Sequence, residues 1–156
     1  RQIFFVATGG FDSHDDQAQD QPGLLANVSA CLDAFYRATV EMGIAQDVTA
    51  FTQSDFGRTL TSNGDGTDHA WGGVQLVVGG AVHGKSVYGS YPVLRLGATL
   101  AADGADDVGG GRFIPTTSSD QYAATLARWF GVLDADLARI APGIDNFTQR
   151  DLGFMS

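Results

Sequence analysis

Residues 3–14 read Ile3-Phe4-Phe5-Val6-Ala7-Thr8-Gly9-Gly10-Phe11-Asp12-Ser13-His14, a short apolar run that stops at two glycines and passes straight into a polar cluster. A run of that length closed by glycine is the pattern of a strand buried on both faces of a parallel sheet. Further on, Leu24, Leu25, Val28, Leu32, Phe35, Tyr36, Thr39 and Met42 recur at helical spacing, with Pro22-Gly23 as a break in front and Gly43 as a stop behind. Asp47-Val48-Thr49-Ala50-Phe51-Thr52 then reads as a second strand, which would complete a βαβ unit with the usual right-handed crossover. The expected class is therefore α/β, with a mostly parallel central sheet flanked by helices. Its polar clusters would lie at the carboxyl edge, where open α/β sheets keep their chemistry.

The remainder of the chain fits around that unit. Asn63-Gly64-Asp65-Gly66 is turn chemistry. Gln75–Gly80 and Lys85–Gly89 read as two short strands about a glycine turn, and residues 97–112, rich in Gly, Ala and Asp, read as an excursion loop. Ser118 followed by Gln121 is a capping box opening a helix whose buried face is Tyr122, Leu126, Trp129 and Phe130, and whose stop is Gly131. Leu133 to Ile140 is a further short helix, and the tail to Ser156 has no clear period.

Composition sets outer limits. With 156 residues, 44% of them hydrophobic, the chain can bury a core of its own. A formal charge of -9 repels nucleic-acid phosphate and anionic membrane surfaces, so no nucleic-acid partner is expected. No apolar run approaches the roughly 20 residues of a membrane span. The single cysteine, Cys31, falls in the helical apolar pattern and is expected as a buried thiol. Because the chain enters its first apolar run directly after Arg1-Gln2, the expectation is one partial domain over residues 1–156, the C-terminal part of a longer protein.

Three clusters carry candidate chemistry. Asp12 and His14 are close enough in sequence to ligate one divalent cation through carboxylate oxygen and imidazole nitrogen, and such pairs also serve as caps and turn formers. Asp68 and His69, followed by Trp71-Gly72-Gly73, form a second candidate, either a ligand pair or a histidine satisfied by its neighbouring carboxylate. Asp55 and Arg58 follow the second strand; the guanidinium fork of Arg58 suits the oxygens of phosphate or sulfate, and equally suits an ion pair with Asp55. His83 belongs to an exposed turn. Gly109-Gly110-Gly111 lacks the strand and helix of a phosphate-cradling loop, and is expected only to be flexible.

Taken in order, Gly10-Phe11-Asp12-Ser13-His14, Ser54-Asp55-Phe56-Gly57-Arg58-Thr59, Gly66-Thr67-Asp68-His69 with its Trp71-Gly72-Gly73, and Gln121–Phe130 resemble the C-terminal part of a bacterial family catalogued as domain of unknown function 1501. That family is placed in the alkaline-phosphatase and sulfatase superfamily. The resemblance implies the C-terminal portion of an alkaline-phosphatase-like sandwich. It also implies a metal-dependent hydrolase of sulfate or phosphate esters. A divalent ion, zinc, calcium or manganese, would be held by Asp12, His14 and His69, with Asp55 as ligand or orienting group and Arg58 on the oxygens of a small anionic ester. The pattern departs at Phe56, which stands where the superfamily has its second ligand, and in the short spacing from Asp12 to His14. Nucleophile and first carboxylate would come from the N-terminal half of the same protein, so no catalytic residue is expected within these residues and the chain alone would be inactive. The resemblance further implies export to the periplasm or beyond. The rival expectation is a non-catalytic exported binding or scaffold protein that kept the fold.

Overall fold

The computed structural model describes residues 1–97 and 106–156. In chain order it places α1 (Gln17–Glu41), β1 (Thr49–Phe51), β2 (Gly57–Ser62), β3 (Thr67–Ala70), β4 (Val77–Gly79), α2 (Ser119–Phe130) and α3 (Leu137–Ile140), with short 3-10 turns at Ala45–Asp47, Asp134–Asp136 and Ile144–Asn146. Half of the excursion expected over 97–112 falls on 98–105, outside the described residues.

The parallel-sheet architecture is not what forms. Among the described residues the strands make two separate two-stranded antiparallel sheets, β1 with β4 and β2 with β3, so the alkaline-phosphatase-like sandwich with a mostly parallel sheet is overturned. Two misreadings produced that expectation. Ile3 to Thr8 forms no strand; Ile3 is 77% exposed and Phe5 92%, because no described neighbour offers a ladder to this apolar run. A run of aliphatic and aromatic residues records a tendency to pair, while the partner decides whether pairing happens. The second strand does form at Thr49–Phe51, but it pairs antiparallel with β4, Ala50 opposite Val78.

The helix expected from Leu24 begins seven residues earlier. Gln17 donates its backbone N–H to the Asp65 carbonyl at 3.3 Å and accepts from the Thr67 hydroxyl at 2.9 Å, so the β2–β3 turn caps the helix start. Pro22 lies inside α1. It costs one i→i-4 bond near the helix start. Leu24, Val28, Leu32 and Tyr36 form a half-buried stripe that ends on buried Thr39, whereas Leu25, Phe35 and Met42 remain exposed. Cys31 is exposed as well, contrary to the buried thiol expected, because it lies at the margin of that stripe.

The packed core sits towards the C-terminus. Ala124, Ala127, Leu137, Ala141 and Ile144 form one cluster, and Leu126, Leu152 and Phe154 a second, against which Val77, Tyr88 and Tyr122 pack. Helix α2 supports both because its ends are defined by sequence. Ser118 accepts from the Asp120 N–H at 3.1 Å, Gln121 Oε1 accepts from the Ser118 N–H at 3.0 Å, and Gly131 closes the helix in the left-handed conformation. The tail without period is tied in by polar groups: buried Thr125 Oγ1 accepts from the Leu152 N–H at 2.9 Å, and Gln121 donates to the Gln149 carbonyl at 2.7 Å. Those bonds fix Leu152 and Phe154 over the core, a placement that periodicity could not register.

Candidate metal centre

The β2–β3 hairpin builds the site. Its turn is Asn63-Gly64-Asp65-Gly66, where the Asn63 side chain accepts from the Gly66 N–H at 2.8 Å and Asn63 N–H donates to the Gly66 carbonyl at 3.0 Å. The flanking strands were not expected from sequence; the signal that could have found them is the turn together with the β-branched threonines of Arg58–Ser62 and Thr67–Ala70, which carry little apolar alternation. In the ladder Arg58 stands opposite His69, with a register shift between Arg58 and Ser62. Directly paired residues project to one face of a sheet.

On that face the N-terminal loop docks. A Cβ at Gly66 would stand 2.4 Å from the His14 carbonyl carbon, so only glycine permits the hairpin turn to meet the Ser13-His14 backbone. Asn63 Nδ2 donates to the His14 carbonyl at 2.9 Å, and Arg58 Nη2 donates to the carbonyls of Ser13 and Thr67. Arg58 Nε donates to Thr67 Oγ1 and Nη1 to Asp12 Oδ1, each at 3.0 Å. Its side chain is 16% exposed. Arg58 thus pairs with Asp12 and not with Asp55, and it joins the loop to the hairpin.

Three donor atoms then converge. Asp12 Oδ1 is 3.0 Å from His14 Nε2 and 2.8 Å from His69 Nε2, and the two Nε2 atoms are 3.1 Å apart. Protons alone do not satisfy this triangle. If both imidazoles carry hydrogen on Nε2, each N–H reaches Asp12 Oδ1 but the two nitrogens, 3.1 Å apart, share no hydrogen bond; if one does, its single hydrogen serves one contact and leaves others unmade. A cation uses all three lone pairs at once. The edges approach the roughly 3.3 Å between ligand atoms of a tetrahedral ion bonded at about 2.0–2.1 Å, and two imidazoles with a carboxylate are a donor set suited to zinc and its neighbours. Asp12, His14 and His69 are all exposed, so an ion has access from solvent.

The surroundings hold these donors in place. Asp68 Oδ1 stands 3.6 Å from His14 Nδ1 and accepts from Asn63 Nδ2 at 3.4 Å. A carboxylate behind an imidazole favours hydrogen on Nδ1 and leaves the Nε2 lone pair facing the centre. Phe56 lies on the His69 ring, centroids 3.9 Å apart and planes 8° from parallel. The hydrogen bond from His69 is the largest cause holding the Asp12 carboxyl below its ordinary value; Arg58 and the charges of the imidazoles add to it, against some desolvation.

Of the residues named from sequence, Asp12, His14 and His69 are brought together and Arg58 abuts them. Asp55 is not in the triad. It lines an open cleft of about 400 Å3 with Phe56, His69, Ala70, Trp71 and Arg112. Sequence reasoning missed two contributors: Asn63, read only as turn chemistry, and Arg112, placed in a loop without function.

A hairpin that presents a two-histidine, one-carboxylate cluster beside an open cleft defines a protein with a candidate metal site. The chain belongs to the family described as Protein of unknown function (DUF1501), which matches residues 1–140. No curated protein and no solved structure matches it. Among the described residues, no helix is long and apolar enough to cross a membrane.

Proposed function

We propose that this chain carries the divalent-metal site of an exported hydrolase that acts on small sulfate or phosphate esters, the chemistry of the alkaline-phosphatase and sulfatase superfamily. The observation that supports this reading is the triangle of Asp12 Oδ1, His14 Nε2 and His69 Nε2, whose mutual contacts protons cannot satisfy together. Zinc, calcium or manganese bound there would polarise an ester oxygen and ease the loss of a proton from water. The chain's own residues hold the donors: Arg58 bonds and aims Asp12, the Asp68 carboxylate beside Nδ1 of His14 favours hydrogen there, and Phe56 stacks on the plane of His69. Asp55, on the cleft wall and without a bonded partner among the described residues, is a carboxylate free to orient water or complete the ligand set. None of these residues is a nucleophile, so attack on phosphorus or sulfur falls to residues in the N-terminal half of the same protein, which is the partner this reading requires.

The test uses the full-length protein, purified and stripped of metal. With added zinc, manganese or calcium it should release product from an aryl sulfate or aryl phosphate, and His69→Ala should abolish release while the thermal transition of the metal-free protein is retained. Absence of metal binding by the wild-type protein would refute the hydrolase.

A second reading is a non-catalytic exported binding or scaffold protein. Phe56 favours it, because the position where the resemblance implies a second ligand is a phenyl ring stacked on His69, which offers a metal no donor atom. Metal binding without turnover of either ester would select this reading.

A further inference from the structure

The guanidinium of Arg58 is committed to Thr67, Asp12 and Ser13. Bonds to the protein's own oxygens leave it little to offer a ligand. Arg112 differs. It lines the same cleft as His69 and Trp71, it is exposed, and among the described residues its side chain makes a single hydrogen bond, Nη1 to the Gly109 carbonyl at 3.3 Å, and no ion pair.

Arg112 is also held in place by its backbone. Asp107 and Phe113 form a bridge, and Gly109, Gly110 and Gly111 all take positive φ (112°, 65° and 73°) to turn the chain between them. Three consecutive positive-φ residues require glycine. The Val108 N–H donates to the Arg112 carbonyl at 2.9 Å, the Gly109 N–H to Asp107 Oδ1 at 2.8 Å, and the Leu60 N–H to the Gly111 carbonyl at 2.9 Å. The last bond ties the loop to β2, the strand that carries Arg58. The glycine triplet is therefore a built turn and not a flexible spacer, and it delivers a cation to the cleft wall.

We propose that Arg112 is the anion-binding residue of this cleft, taking the terminal oxygens of a sulfate or phosphate monoester while Trp71 covers the ester's apolar group. In a chain of net charge -9, an arginine without a carboxylate partner beside a cation site is where an oxyanion gains most. Its planar fork matches two oxygens of such a group. Trp71 is 59% exposed on the same wall, a large flat surface available for stacking. The Asp55 carboxylate on that wall repels a second negative group, which selects esters with one charged end. The choice of ester rests on the hydrolase reading above, whereas the anion contact needs no metal.

The test titrates inorganic phosphate and phenyl phosphate into the full-length protein, with and without zinc, followed by calorimetry. Arg112→Gln should weaken both probes at least tenfold with the melting temperature and zinc affinity unchanged, and Arg112→Lys should restore part of the loss. Trp71→Ala should weaken phenyl phosphate and leave inorganic phosphate as it was. Unchanged phosphate affinity in Arg112→Gln, or a wild-type protein that binds neither probe with or without zinc, overturns the proposal. Equal affinity of the wild-type protein for the two probes overturns the role of Trp71. If zinc does not bind while phosphate binding still depends on Arg112, the metal reading fails and this one stands.

Discussion

Arg58 and His69 face each other across the β2–β3 ladder, and both reach the same oxygen of Asp12, at 3.0 and 2.8 Å. One strand pairing thus sets two of the contacts that aim the carboxylate. Any change that slips this hairpin by one residue would turn both side chains to the opposite face.

The carboxylate behind His14 should be measurable in metal affinity. Asp68→Asn removes the charge that favours hydrogen on Nδ1 while preserving shape, and a loss of about tenfold or more in zinc affinity is expected from the behaviour of such outer partners. Competition with a chelator of known affinity measures it, and an unchanged constant would mean that Asp68 serves only the turn.

Asp12 should titrate below the ordinary 3.8 of an aspartate. Because its folded pKa is depressed, the stabilisation it provides is present above the unfolded value and is lost as pH falls through the lower folded value. Carboxyl carbon shifts followed by NMR in metal-free protein should show this inflection, and His69→Ala should move it back towards 3.8. An inflection at or above the ordinary value would contradict the His69 and Arg58 contacts.

Gly66→Ala should separate site from core. The added methyl group meets the His14 backbone, so the loop must move, and zinc affinity should drop by at least tenfold. The clusters around Leu137 and Phe154 are built from other elements, so a cooperative thermal transition should survive. Full zinc affinity in this variant would show that the loop tolerates displacement.

Ser118→Ala removes a side-chain acceptor at the start of α2 and should cost about 1 kcal/mol in urea denaturation. A cost near zero would indicate that Gln121 or water caps the helix unaided.

Local signals survived into the structure where neighbouring residues decide the outcome. The Ser118 and Gln121 box, the Gly131 stop and the Asn63-Gly64-Asp65-Gly66 turn each depend on atoms a few positions apart, and each forms. The sheets failed because pairing is a property of two segments. Ile3–Thr8 has the composition of a buried strand and no described partner, while Arg58–Ser62, polar and rich in threonine, pairs because its turn brings Thr67–Ala70 alongside. Residue type suggested Asp12 with His14 and Asp68 with His69 as separate candidate pairs, and the grouping of Asp12, His14 and His69 on one ion came from the family resemblance; the expected setting at the edge of a parallel sheet was wrong, and a hairpin face holds them. Arg112 was unreadable because its importance comes from lacking a partner, which a sequence does not display.

A bond through an ion shared by Asp12 and His69 would join positions 57 apart. In the chain-entropy account, a covalent cross-link over a loop of that length contributes about 4 kcal/mol by restricting the unfolded ensemble. With Cys31 as its one cysteine, the chain cannot staple itself with an internal disulfide. An ion at this point would act as a removable rivet between the N-terminal loop and the hairpin, fastened in the presence of metal and released by a chelator.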